Sequence, residues 1–264
     1  MLRRERREFY ELGILASILQ SIHKGDCANI QVVTTAAGDP HDYYIDYEEG
    51  FGKLGCTGVR HLSIRTRGQA DEEETLKQLS EADCVLFTGG DQLRLSSTFG
   101  GTRFLDILKD RYRNEQFVVA GTSAGAMVMS NPMIYEGRAH LANLKGEVKI
   151  VSGLGFVDDV IIDTHFDKRG RFSRLAQAVA AQPGALGIGL GEDTGVVITK
   201  GHLLEAIGSS SVILIDGKKI AATSIAEIAE GKPITVQGLE VHIMAAGDHY
   251  NIRSREFSAG FLEE

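Results

Sequence analysis

The chain has 264 residues, 43% of them hydrophobic and 24% charged, with a formal net charge of −8. That is room for one large domain with a sizeable core. The acidic balance argues against nucleic acid as a partner. No apolar run approaches the length that crosses a bilayer, so no membrane role is expected. The charges at the N-terminus, Arg3-Arg4-Glu5-Arg6-Arg7-Glu8, have no apolar core behind them and are not a secretory signal. Cys27, Cys56 and Cys84 are odd in number and widely spaced. They read as buried free thiols in a reducing cytoplasm, with neither a disulfide framework nor a metal site.

In chain order, Glu5 to Ile22 reads as an amphipathic helix with Phe9, Leu12, Leu15, Ile18, Leu19 and Ile22 on one face and Gly25 as its stop. Ile30 to Thr35 and Val59 to Ile64 read as strands, with a helix between them from Tyr44 to Leu54 interrupted by Gly50 and Gly52. Asp71 to Ala82 opens with acids and reads as an exposed helix. Cys84 to Thr88 is a buried strand ending in Gly89-Gly90. Thr102 to Arg113 is a helix with Phe104, Leu105, Leu108 and Tyr112 on one face. The strand Gln116 to Ala120 is followed by a helix that begins around Ala126. Val160 to Thr164 and Leu186 to Leu190 are strands around a helix from Arg169 to Ala181. This alternation predicts an α/β fold with a mostly parallel sheet covered on both faces. Gly195 to Thr199, Leu203 to Ile207 and Val212 to Ile215 have hairpin spacing, and Val241 to Ala245 adds a last strand, so the tail is expected to be an antiparallel extension. No repeat or low-complexity linker interrupts the chain, and one domain over residues 1–264 is expected.

Gly121-Thr122-Ser123-Ala124-Gly125 joins a buried strand to a helix. A Gly-x-Ser-x-Gly turn in that context is a nucleophile elbow, which exposes the serine hydroxyl at the strand tip. Ligands in parallel sheets bind at the carboxyl ends of strands, and other chemistry-bearing residues sit at such ends. They are Gly89-Gly90-Asp91-Gln92, His165, and Glu192 after Gly191. Serine needs a base to take its proton, histidine suits that task near neutral pH, and an acid fixes the imidazole tautomer. Asp159, Asp163, Glu192 and Asp193 compete for the role of acid, and residue type does not choose among them. The Gly90 and Ala124 N–H groups can serve a developing oxyanion. Arg171 and Arg174, three residues apart on one helix face, can grip carboxylates or phosphates on a ligand. No P-loop, dinucleotide fingerprint or metal-ligand cluster is present, so no cofactor and no metal are expected.

Four segments together resemble cyanophycinases, serine exopeptidases related to peptidase E. They are Phe87-Thr88-Gly89-Gly90-Asp91-Gln92, Gly121-Thr122-Ser123-Ala124-Gly125-Ala126, the run Asp163-x-His165-Phe166-x-x-Arg169-x-Arg171-x-x-Arg174-Leu175, and Gly189-x-Gly191-Glu192-Asp193-Thr194. They occur in the family's order, and the likeness runs from about Arg3 to about Ile252. The resemblance implies a three-layer α/β/α fold similar to class I glutamine amidotransferase domains, and a homodimer. It also implies release of β-Asp-Arg dipeptides from cyanophycin, an aspartate-backbone polymer with arginine on each side-chain carboxyl. Carried over, Ser123 is the nucleophile, His165 the base and Glu192 the acid. Gln92, Asp163, Arg169, Arg171 and Arg174 match positions that line the substrate pocket. Thr164 departs from the glutamine common between the Asp and the His. The apolar strand and Gly-Gly-Ala-Glu-Asp-like turn with which the family opens would precede this chain's first residues. The alternatives are a peptidase E-like dipeptidase acting on aspartyl or isoaspartyl peptides, and a non-catalytic scaffold, which absence of that strand would favour.

Overall fold

The computed structural model describes residues 13–260. Residues 13–22 are helical, while Phe9 and Leu12 of the expected N-terminal helix lie outside the described residues. The chain divides into two compact units, Met1–Met129 and Ser130–Glu264.

The first unit holds a wholly parallel sheet of β1 (Ile30–Val33), β2 (Val59–Leu62), β3 (Cys84–Phe87) and β4 (Val118–Gly121), in the order β2-β1-β3-β4. Every residue of β1 and β3 is buried, which is the pattern of parallel strands covered on both faces. Helix α1 (Pro40–Lys53) starts with Pro40 at its first turn and with Asp39 as its cap. It runs through Gly50 and Gly52, where the sequence shows breaks. Phe51 between them is 0% exposed and packs into a core with Ile22, Val32, Val59 and Leu86, and that burial outweighs the cost of the glycines.

Two helices follow: α2 (Arg67–Ala70), which precedes the expected span and has no counterpart in the sequence expectations, and α3 (Glu73–Glu81), which is the helix expected over 71–82. A capping box between Thr66 and Gln69 starts the first of them. Helix α4 (Gln92–Phe99), absent from the sequence expectations, is capped by Asp91, whose carboxylate accepts the Leu93 N–H at 2.9 Å. It buries Leu95 and Phe99, and the Phe99 ring meets Phe87 edge-on at 5.6 Å. Helix α5 (Arg103–Asn114) buries Phe104, Leu105 and Leu108. The four-residue α6 (Ala124–Met127) follows β4. Cys56 and Cys84 are buried, but Cys27 is exposed, against the expectation of three buried thiols.

The second unit contains β5 (Val160–Thr164), α7 (Phe172–Ala181), β6 (Leu186–Leu190), β7 (Thr194–Thr199), β8 (Leu203–Gly208), β9 (Val212–Asp216), β10 (Glu240–Met244), β11 (His249–Asn251) and β12 (Glu256–Ser258). One sheet runs β10-β9-β6-β5, parallel between β5 and β6 and antiparallel elsewhere. The other, β7-β8-β11-β12, is antiparallel throughout. Helix α7 begins three residues later than the sequence pattern suggests. Residues 166–170 instead form a turn closed by the Arg169 N–H on the His165 carbonyl and the Arg171 N–H on the Phe166 carbonyl, at 3.1 and 3.0 Å. Between Ser130 and β5, the strand Met133–Glu136 pairs with Lys149–Val151 in a hairpin that no local sequence pattern marks.

Candidate active site

In the first unit, β4 leaves the sheet at Gly121 and enters α6 through Ser123, whose backbone lies at φ 52° and ψ −113°. L residues rarely adopt that conformation, which costs on the order of 1–3 kcal/mol and collects at functional sites. The turn is locked against β3. The Phe87 carbonyl accepts the Thr122 N–H at 3.0 Å, and a Cβ at Gly125 would lie 2.0 Å from the same oxygen. Only glycine lets α6 start this close to β3. The Gly89–Gly90 turn lies beside the serine, since a Cβ at Gly89 would fall 3.3 Å from Ser123 Cβ. Gly90 has φ +135° and is exposed, and the next N–H, that of Asp91, is donated to the Ala36 carbonyl at 3.0 Å. Ala124 is the first residue of α6, and Gln92, half-buried, is the first of α4. Tyr47 of α1 shares a 2.5 Å hydrogen bond with the Thr122 hydroxyl. That restraint on the residue before the serine joins positions 75 apart in sequence, and no local pattern signals it.

In the second unit, the parallel register pairs Leu190 with Thr164, so both strands release their chains at the same level. The Leu190 carbonyl accepts the Phe166 N–H at 3.0 Å. Just beyond, His165 Nδ1 lies 2.6 Å from Glu192 Oε1, with the two side chains 29% and 37% exposed. His165 takes φ 52° and Asp193 φ 50°. The acid's loop is held on both sides. The Thr194 hydroxyl donates to the Glu192 carbonyl at 2.9 Å and accepts the Ser210 N–H at 3.0 Å. The Asp193 carbonyl accepts the Ser209 N–H at 2.9 Å. Asp159 precedes β5, at the opposite end of that strand from His165. With Nδ1 engaged by a carboxylate, the imidazole has its Nε2 edge for taking and returning a proton.

Asp163 is 0% exposed. Its Oδ2 accepts Arg174 Nε at 2.7 Å, and its Oδ1 accepts Arg171 Nη1 at 3.0 Å and the Thr164 N–H at 2.9 Å, with Arg174 Nη2 also bonded to Oδ1. Arg174 spends Nη1 on the Gly137 carbonyl at 3.2 Å, and Arg171 Nη1 also reaches the Thr164 carbonyl at 2.6 Å. Burial pulls the Arg171 guanidinium below its ordinary pKa, against the neighbouring Asp163 charge that supports it. Arg169, in the preceding turn, is exposed.

The model of peptidase family S51 matches residues 6–207. A cyanophycinase of Trichormus variabilis is 36% identical over 228 residues, which is 86% of this chain and 76% of that protein. A cyanophycinase of Geminocystis herdmanii is 32% identical over 239 residues, 90% of this chain and 88% of its own. Among solved structures, a peptidase from an acI-B1 Actinobacterium superposes with a TM-score of 0.64 at 20% identity, covering 93% of this chain and 90% of that one. Among the described residues, no helix is long and apolar enough to cross a membrane.

Proposed function

The chain belongs to peptidase family S51 and is a serine-type peptidase with an α/β fold, and from that premise we propose that it is an exopeptidase that degrades cyanophycin to β-Asp-Arg dipeptides. In this reading Ser123 Oγ attacks the scissile carbonyl carbon while His165 Nε2 takes its proton. Glu192, on the far ring nitrogen, holds the tautomer and stabilises the imidazolium. The Gly90 and Ala124 N–H groups receive the oxyanion. Collapse of the tetrahedral intermediate breaks the C–N bond, and the leaving amine takes the proton from His165. Water then repeats the sequence on the acyl-enzyme, giving its proton to His165, and Ser123 is released with its proton restored.

The observation that carries the chemistry is the 2.6 Å His165–Glu192 pair at the ends of adjacent parallel strands. The strained Ser123 backbone supports the same reading. The substrate rests on the cyanophycinases that share about a third of their residues with this chain across most of its length. Gln92 and Arg169 are assigned to substrate contact, Arg169 as an exposed cation in the turn after the base. The reading includes a cytoplasmic homodimer, which sedimentation of the purified protein checks.

The test is incubation with purified cyanophycin and mass analysis of the products. Release of β-Asp-Arg is expected, with turnover falling about a millionfold in Ser123→Ala while the melting temperature is kept. Release of other aspartyl dipeptides from short peptides, with the polymer left intact, would move the substrate to the peptidase E class. Retained activity in Ser123→Ala would remove the serine mechanism.

A further inference from the structure

Thr122 continues β4 by one position and directly precedes the candidate nucleophile. Earlier on that strand, Val118 and Ala120 pack against the core cluster that holds Ile30, Val32, Cys84, Leu86 and Phe51 of α1. Side chains alternate along a strand, so Thr122 follows Val118 and Ala120 on the same face. Tyr47 packs against that cluster too, one helical turn before Phe51, which is fully buried and anchors α1. The Tyr47 ring lies among apolar neighbours, and its hydroxyl reaches Thr122 Oγ1 at 2.5 Å. The packing of α1 on the sheet does not need that oxygen. The bond is an addition at the end of an otherwise apolar row.

Thr122 is thereby held at three points. Its N–H is donated to the Phe87 carbonyl at 3.0 Å, its carbonyl accepts the Gly125 N–H at 2.9 Å, and its hydroxyl shares the bond with Tyr47. The first two are backbone bonds that any residue but proline could make. The third depends on the two side chains. Threonine is β-branched and stiff at χ1, so a bond on its hydroxyl also restrains the backbone that carries it. The Thr122 carbonyl and the Ser123 N–H lie in one peptide plane. That plane leads into Ser123 at φ 52° and ψ −113°, a conformation that persists only where its surroundings hold it. Ala124, one of the two oxyanion donors in the proposed mechanism, is the next residue of the same turn.

We propose that Tyr47 is a positioning residue for the nucleophile. Through Thr122 it holds the elbow in the strained conformation from which Ser123 Oγ and the Ala124 N–H are aimed. Helix α1 supplies the rigid support, Tyr47 the reach, and Thr122 the link to the backbone. The proposal rests on Ser123 being the nucleophile.

Tyr47→Phe tests this, because it removes one oxygen and keeps the ring in the core. The readout is the rate at which a fluorophosphonate labels Ser123. In that reaction Oγ bonds to phosphorus, fluoride leaves, and the hydroxyl proton passes to the base, so no cyanophycin is needed. Labelling in Tyr47→Phe should slow about tenfold, part of the roughly 100-fold that a 1 Å misplacement costs. On cyanophycin, kcat should fall in step, with KM within about twofold of wild type. Thr122→Val removes the other hydroxyl at nearly constant shape and should slow labelling equally, while Thr122→Ser should recover most of the rate. The double variant Tyr47→Phe/Thr122→Val should be no slower than either single one, since both remove the same bond. Tyr44→Phe is the control. It loses a hydroxyl bonded to Glu48 at 2.6 Å on the same helix and should label at the wild-type rate. A folded Tyr47→Phe protein that labels at the wild-type rate overturns the proposal, and so does a double variant in which the two losses multiply. If the wild-type protein is labelled but leaves cyanophycin intact, the substrate reading alone fails, and the labelling rates still decide the role of Tyr47. A wild-type protein that is not labelled at Ser123 overturns the serine mechanism and this proposal together.

Discussion

Ser123, His165 and Asp193 carry side chains on left-handed backbone, at φ 52°, 52° and 50°. Such residues persist only where their surroundings over-determine them. Here those surroundings are the Thr122 N–H bond to the Phe87 carbonyl, the Arg171 bond to the Thr164 carbonyl, and the Ser210 N–H bond to the Thr194 hydroxyl. Glu192 is expected to matter through orientation and charge. Glu192→Gln should lower turnover by about ten-thousandfold, as loss of a triad acid does elsewhere, with the fold retained by circular dichroism. If Glu192→Gln matched wild type while Asp193→Asn lost turnover, the acid would be Asp193. At this scale the sequence singles out Ser123 and His165 as candidates, because a Gly-x-Ser-x-Gly turn and a histidine at a strand end are local patterns. Residue type does not pair His165 with Glu192, since that contact depends on a register between strands more than twenty residues apart. Neither the Tyr47 bond to Thr122 nor the inward aim of Arg174 could be read, since each joins positions that only the fold brings together.

Among the elements, the strands were the most legible, because a buried parallel strand writes itself as a short apolar run. Helix boundaries were less so. In α4, Ser96, Ser97 and Thr98 form a run of weak helix formers, and the helix exists through its Asp91 cap and the burial of Leu95 and Phe99. The pair β2 and α1 makes a testable case. His61 of β2 stacks on Tyr44 of α1 with ring centroids 4.8 Å apart, and its Nε2 lies 2.8 Å from the Thr34 hydroxyl. Burial, then the neighbouring His41 and Arg65 charges, hold its pKa below the ordinary 6.5. The unfolded chain therefore binds the proton more readily, so this contribution to stability is present above about pH 6.5 and is lost as pH falls through the folded value. Urea midpoints should fall between neutral and mildly acidic pH, with a shallower fall in His61→Gln. Equal slopes in the two proteins would show that His61 does not contribute.

For the whole molecule, the α/β class and the antiparallel tail followed from the order of strand and helix patterns. The hairpin of Met133–Glu136 and Lys149–Val151 did not, because its strands are short and its partners lie beyond a long turn. One feature of the tail matters for the protein in bulk. Strand β10 ends its sheet, paired with β9 along one side. His242 turns toward the Tyr250 and Phe257 rings, 5.6 and 5.8 Å away, while Val241 and Ile243 are 44% and 67% exposed. The strand contains neither the lysine nor the proline that commonly blunts an edge. Such an edge is a template on which another extended chain can add, so association at high concentration is expected there. Ile243→Lys should raise the protein concentration at which light scattering climbs and leave hydrolysis unchanged. If the onset does not move, the limit lies elsewhere on the surface. If it does, shelf life in a concentrated preparation is governed by an outward methyl-rich ridge on the tail, a property that no measurement of turnover would reveal.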